Sequence, residues 1–163
     1  MKIAFLTPEY PHNKTGSAGG IGTSIKNLGE ALIQLGHKVH ILVYNQKKDH
    51  VFQSDSITIH QIKNFKLKGL SWYLTRKKIE YYINNLYSKQ KVDIVEAPDW
   101  TGITSFIQPK KCPIVIRLHG SDTYFCKLEN RPQKRKNFWF EKSAIKKAQG
   151  YISPTNFAGA TSA

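Results

Sequence analysis

A strand, a helix and a second strand fill the first 44 residues, and that order constrains the fold more than any other feature of the chain. Lys2 to Thr7 (KIAFLT) is a short apolar run stopped by Pro8, which suits a buried strand. From Ile21, the apolar residues Ile25, Leu28, Ala31, Leu32 and Leu35 recur on one helical face, and Gly36 supplies the stop. Val39 to Tyr44 (VHILVY) follows after a short turn. This is the signature of a parallel βαβ unit.

The alternation continues downstream. Ile57 to Ile62 (ITIHQI) reads as a strand, Ser71 to about Lys89 as a long helix, and Val92 to Val95 as a strand running into Pro98. Trp100 to Ile107 is expected to be a short helix, Pro113 to Leu118 a buried strand, Gln133 to Ala148 a helix, and Tyr151 to Ser153 a last small strand. Connections too long for hairpins predict an α/β fold, a doubly wound, Rossmann-like parallel sheet with helices on both faces. At 163 residues the chain fits one domain.

Ligands of such sheets bind at the carboxyl ends of the strands, where strand order reverses. Four polar or glycine-rich segments fall there: PEYPHNKTGSAGGIG, Asn45-Gln46, EAPDW and HGSDTYF. The first is not a dinucleotide fingerprint, since Gly20-Ile21-Gly22 lacks the third glycine and no acid ends the second strand. Nor is it a P-loop, because no Gly-Lys-Ser/Thr follows. Glycines at a helix start do expose main-chain amides to an anion.

The ordered set GGIGTSIKNLGEALIQLGHKV, EAPDW and RLHGSD resembles the N-terminal half of family 4 retaining glycosyltransferases, which have the GT-B architecture. The resemblance covers nearly the whole chain. It implies that Gly19, Gly20 and Gly22 face the diphosphate and sugar of a nucleotide-sugar donor, and that His119 lies beside the transferred sugar as the catalytic residue. Glu96, Asp99, Trp100 and Asp122 become acceptor-binding or positioning residues. A polysaccharide, glycolipid or similar acceptor is implied, with no cofactor and no metal ion. The second, nucleotide-holding domain of the family is not contained in these residues, and SPTNFAGATSA reads as the approach to another helix with Thr155 as N-cap. The expectation is therefore the front part of a longer enzyme, inactive by itself.

Cys112 and Cys126 have no Cys-x-x-Cys spacing and are expected to be free thiols. No apolar run approaches the ~18 residues of a membrane span, and the five-residue apolar start is too short for a signal peptide, so a cytoplasmic protein is expected. The net charge of +14 is concentrated. Residues 63–91 and 127–147 each hold eight Lys/Arg, and NFKLKGLSWYLTRKK and RPQKRKNFWFEKSAIKK interleave them with aromatics. Peripheral contact with an anionic membrane is one consequence. A basic nucleic-acid-binding module is the alternative, although no binding motif supports it. A nucleotide-sugar epimerase or dehydrogenase is a third reading, disfavoured by the imperfect glycine pattern.

Overall fold

The computed structural model describes residues 1–153. Among these, seven strands form one sheet: β1 (Lys2–Thr7), β2 (Lys38–Gln46), β3 (His50–Ser54), β4 (Ile57–Lys63), β5 (Ile94–Pro98), β6 (Ile114–Arg117) and β7 (Gly150–Ile152). Their spatial order is β3-β4-β2-β1-β5-β6-β7. All pairings are parallel except β3 with β4. The helices are α1 (Gly20–Gln34), α2 (Ser71–Gln90), α3 (Asp122–Leu128) and α4 (Arg135–Lys147), and Trp100–Gly102 forms a 3-10 turn. The fold is the Rossmann-like α/β sheet that the alternation predicts.

Each face of the sheet buries its own core. Phe5, Ile41, Val43 and Ile59 pack under α1 through Ile25, Leu28 and Leu32. Leu6, Leu42, Ile62, Val95 and Ile116 lie on the opposite face with Ile79, Ile83 and Leu86 of α2. Full burial of each such side chain contributes roughly 1.5–3 kcal/mol, so these two layers hold the frame rigid. The chain leaves β1 toward β2 on one side and reaches β5 on the other, which places a crevice at the carboxyl ends of β1 and β5.

The structure departs from the sequence expectations in four places. Strand β3 was not foreseen; it pairs antiparallel with β4 across a two-residue turn at Asp55 and Ser56, both with positive φ. Helix α3 was also not foreseen, because seven residues give too little periodicity to read. The helix expected over 100–107 shrinks to Trp100–Gly102, since Thr101 (φ 54°) and Phe106 (φ 64°) leave the helical region. The strand expected to start at Val92 starts at Ile94: the α2 C-cap Lys91 is left-handed and the Val92 amide still donates to Leu86 O. The N-cap expected at Thr155 lies outside the described residues. No helix among the described residues is long and apolar enough to cross a membrane.

Candidate functional site

The loop after β1 delivers α1 to the crevice with its first turn bare. Gly19 is the N-cap and supplies no side-chain cap. Gly19 and Gly20 are exposed, and a Cβ on Gly20 would meet nothing within 4 Å. Gly22 is different. It is buried, a Cβ there would come within 2.6 Å of Ala18 Cβ and 3.0 Å of the Glu9 carbonyl, and its amide donates to Glu9 Oε1 at 3.2 Å. The three glycines expected to act together thus divide: Gly20 has open space around it, Gly19 is exposed but a Cβ there would meet the Glu9 carboxylate at 3.2 Å, and Gly22 lets α1 seat against the Glu9 backbone. No described residue accepts the amides of Gly20 and Ile21, the first donors of the helix.

The rest of the loop is braced from the side. Thr7 Oγ1 donates to Glu9 O at 2.8 Å, and Thr15 Oγ1 to Tyr10 O at 2.6 Å. Gln61 on β4 donates to Lys14 O at 2.7 Å, while the unforeseen β3 offers Phe52 to the His12 ring and the Lys14 ammonium.

The loop after β6 is built in the opposite manner, because buried carboxylates take its amides. Asp99, only 1% exposed, accepts from the His119 amide at 3.1 Å and the Gly120 amide at 3.2 Å. Glu141 on α4, 3% exposed, accepts from the amides of Thr101 (3.1 Å), Asp122 (2.9 Å) and Thr123 (3.2 Å) and from the Thr123 hydroxyl. Ser121 caps α3 by accepting from the Tyr124 amide. Glu141 therefore ties the loop after β5 to the loop after β6. The loop after β5 also touches α4 backbone to backbone at Gly102 (φ 56°), where a Cβ would lie 2.2 Å from Phe140 C. Sequence reasoning missed both Glu9 and Glu141. A signal for the latter existed, since it is a lone acid inside a helix otherwise rich in lysine and arginine.

The expected acids are all engaged internally. Glu96 on β5 makes a two-pronged pair with Arg117 on β6, at 2.5 and 2.9 Å. Asp122 accepts from Asn137 at 2.9 Å and from Arg131 at 3.3 Å, and the Asn137 amide, with help from Arg131, holds its carboxyl below the usual range. Burial pushes the Asp99 carboxyl up to about 6, against the pull of the two amides, and Glu141 adds to the rise. Trp100 is half-buried and meets Phe125 edge to face, with ring centroids 6.2 Å apart.

His119 remains. It is half-buried at the carboxyl end of β6, and no described residue hydrogen-bonds its imidazole. Burial, and then the Arg117 charge, lower its pKa, so it presents a neutral ring at neutral pH. With β5 between β1 and β6, the strands that lead to the glycine mouth and to His119 end about two strand spacings apart, roughly 10 Å, on the same edge of the sheet. Among the described residues no three His, Cys, Asp or Glu side chains are arranged to hold a metal ion, and both cysteines are buried and free.

The chain superposes on sucrose-phosphate synthase from Thermosynechococcus elongatus with a TM-score of 0.73 at 16% identity, covering 98% of this chain and 43% of that one. For starch synthase IV from Arabidopsis thaliana, solved with ADP and acarbose, the values are 0.55, 15%, 96% and 47%. UDP-GlcNAc 2-epimerase from Methanocaldococcus jannaschii gives 0.62, 12%, 99% and 42%. At these identities the likeness shows a shared fold, the N-terminal half of GT-B, and the epimerase shows that the fold alone does not choose the chemistry. The chain spans less than half the length of each of these structures. No curated protein sequence matches it. The model of Glycosyltransferase Family 4 matches residues 18–161, from the glycine mouth through both loops to α4 and beyond, and the chain belongs to that family.

Proposed function

We propose that this chain is the acceptor-side domain of a retaining glycosyltransferase that moves a sugar from a nucleotide-sugar donor to a polysaccharide, glycolipid or similar acceptor. The observation that carries the reading is the bare first turn of α1, with open space at Gly20, on the same sheet edge as an uncommitted neutral imidazole at His119. The free amides of Gly20 and Ile21, at the positive end of α1, suit the donor diphosphate. His119 suits a hydroxyl of the transferred sugar, because a neutral imidazole both donates and accepts.

On this reading Asp99, Asp122 and Glu96 are positioning residues, since their carboxylates are spent within the protein. Trp100 lies on the acceptor rim. Retention with the leaving phosphate assisting on the same face needs no second carboxylate, and the stabilisation of that phosphate is electrostatic. No metal ion is required. The nucleotide falls to a second domain, so these 163 residues alone transfer no sugar.

The test is an NMR titration with UDP-glucose and ADP-glucose at millimolar concentration, following the His119 imidazole resonances, which the H119A variant identifies by their loss. A ligand-dependent shift of the His119 ring resonances supports the reading. A ring that titrates with pH but ignores both sugar nucleotides contradicts it.

A further inference from the structure

The two basic segments, about 60 residues apart in sequence, meet on one surface. Residues 65–70 (FKLKGL) precede α2 and are all exposed, with Phe65 47%, Leu67 51% and Leu70 51% accessible. Trp72 ties this loop down through its indole N–H to Gly69 O at 2.9 Å, then packs on Phe140 of α4 with ring centroids 5.0 Å apart. Lys136 lies over the same Trp72 ring at 4.7 Å, and Trp139 meets Phe106 at 5.4 Å. Helix α4 turns Phe140, Glu141 and Ala144 inward, while Arg135, Phe138, Trp139, Lys142 and Lys146 form the outward stripe. Phe138 is 46% and Trp139 54% exposed.

We propose that this surface docks on an anionic lipid bilayer. Five large apolar side chains stand in water here, ringed by Lys66, Lys68, Lys134, Arg135, Lys136, Lys142 and Lys146. The acids of these segments offer no counter-charge to them: Glu141 is buried, Glu80 is held by Lys77 and the Gln108 amide, and Glu129 is paired with Arg131. Basic residues at the headgroup level with aromatic and aliphatic side chains entering the acyl boundary are what an interfacial helix requires. A nucleic acid would use the aromatics for stacking but has no use for exposed leucines. Helices of this fold start at the carboxyl edge of the sheet, so docking brings the candidate crevice to the lipid surface. A lipid-borne acceptor then follows, and that step alone rests on the sugar-transfer reading.

Co-sedimentation of the chain with vesicles tests the docking without any sugar donor. Binding to phosphatidylcholine vesicles containing 30% phosphatidylglycerol is expected to exceed binding to pure phosphatidylcholine at least ten-fold. Neutralising Arg135→Gln, Lys142→Gln and Lys146→Gln together lowers it by roughly 100-fold, at about ten-fold per 1.4 kcal/mol and ~1 kcal/mol per basic residue. Lys89→Gln with Lys91→Gln, at the far end of α2, lowers it several-fold less per charge. A blue shift of tryptophan emission on binding disappears in Trp139→Phe. Equal loss per charge from both sets, or equal binding to neutral vesicles, overturns the proposal. Tighter binding to a 20-nucleotide single strand than to anionic vesicles at the same salt overturns it in favour of nucleic acid.

Discussion

The loop after β1 and the loop after β6 reach the same edge of the sheet, yet they treat their backbone amides differently. The first removes side chains and leaves the Gly20 and Ile21 amides without acceptors among the described residues, while the Gly22 amide goes to Glu9. The second consumes its amides on Asp99 and Glu141 and leaves one imidazole free. An anion arriving at the crevice therefore finds main-chain donors on the β1 side and a neutral side chain on the β6 side. HGSD looks in sequence like another glycine-containing anion loop, but its donors are already filled.

The comparison is broken most severely at Gly102, where backbone meets backbone. Gly102→Ala forces a Cβ into Phe140 at a positive φ, and a loss of at least about 4 kcal/mol is expected, read as loss of a cooperative melt. Glu141→Ala leaves three amides and a hydroxyl without an acceptor; about 3–4 kcal/mol is expected from chemical denaturation. It should also speed amide exchange at Asp122 and Thr123 while sparing α1.

Holding a loop with a buried carboxylate has a pH signature. The folded protein keeps a proton on Asp99 up to about 6, above the ordinary carboxylate value, so this group's stabilisation is greatest in acid and is lost as pH rises through 6. His60, buried beside His40 on β2 and β4 at 3.3 Å, works the other way. Burial, then the His40 charge, lower its pKa to about 4, so its contribution is present above 6.5 and lost as pH falls toward 4. Each amounts to about 3 kcal/mol, and they oppose each other between pH 4 and 6. Asp99→Asn should therefore make the melting temperature fall more steeply with acid than in the parent, and His60→Gln should reverse the slope; parallel profiles would refute the assignment.

Within the glycine mouth the effects shrink. Gly22→Ala crowds Ala18 and Glu9 and is expected to cost about 2 kcal/mol, whereas Gly20→Ala, with open space around it, stays within about 0.5 kcal/mol. A Gly22→Ala protein as stable as Gly20→Ala would show that the two glycines are not divided as described.

How much of this was legible in the sequence depends on where each feature gets its information. β1, α1 and β2 announce themselves because burial on a fixed face imposes a period on the residues that supply it. β3 does not, since His50, Val51 and Gln53 are exposed on an edge strand and face no core. The glycine mouth, EAPDW and HGSD were legible as segments at the ends of strands, EAPDW as the end of β5 itself. The carboxylate scaffold was not, because Glu141 reaches Thr101 across 40 residues and Asp99 reaches His119 across 20. The charge runs were visible as runs, but contacts between them, Trp72 against Phe140 and Lys136 over Trp72, join them into one surface.

The difference between the two loops can be tested in one sample by amide hydrogen exchange in nitrogen-15 NMR with and without UDP-glucose. The account predicts fast exchange at Gly20 and Ile21 that slows on adding the sugar nucleotide, with His119, Gly120, Asp122 and Thr123 protected throughout. Protected amides at Gly20 and Ile21 in the free chain, or slowing confined to residues 119–123, would contradict it.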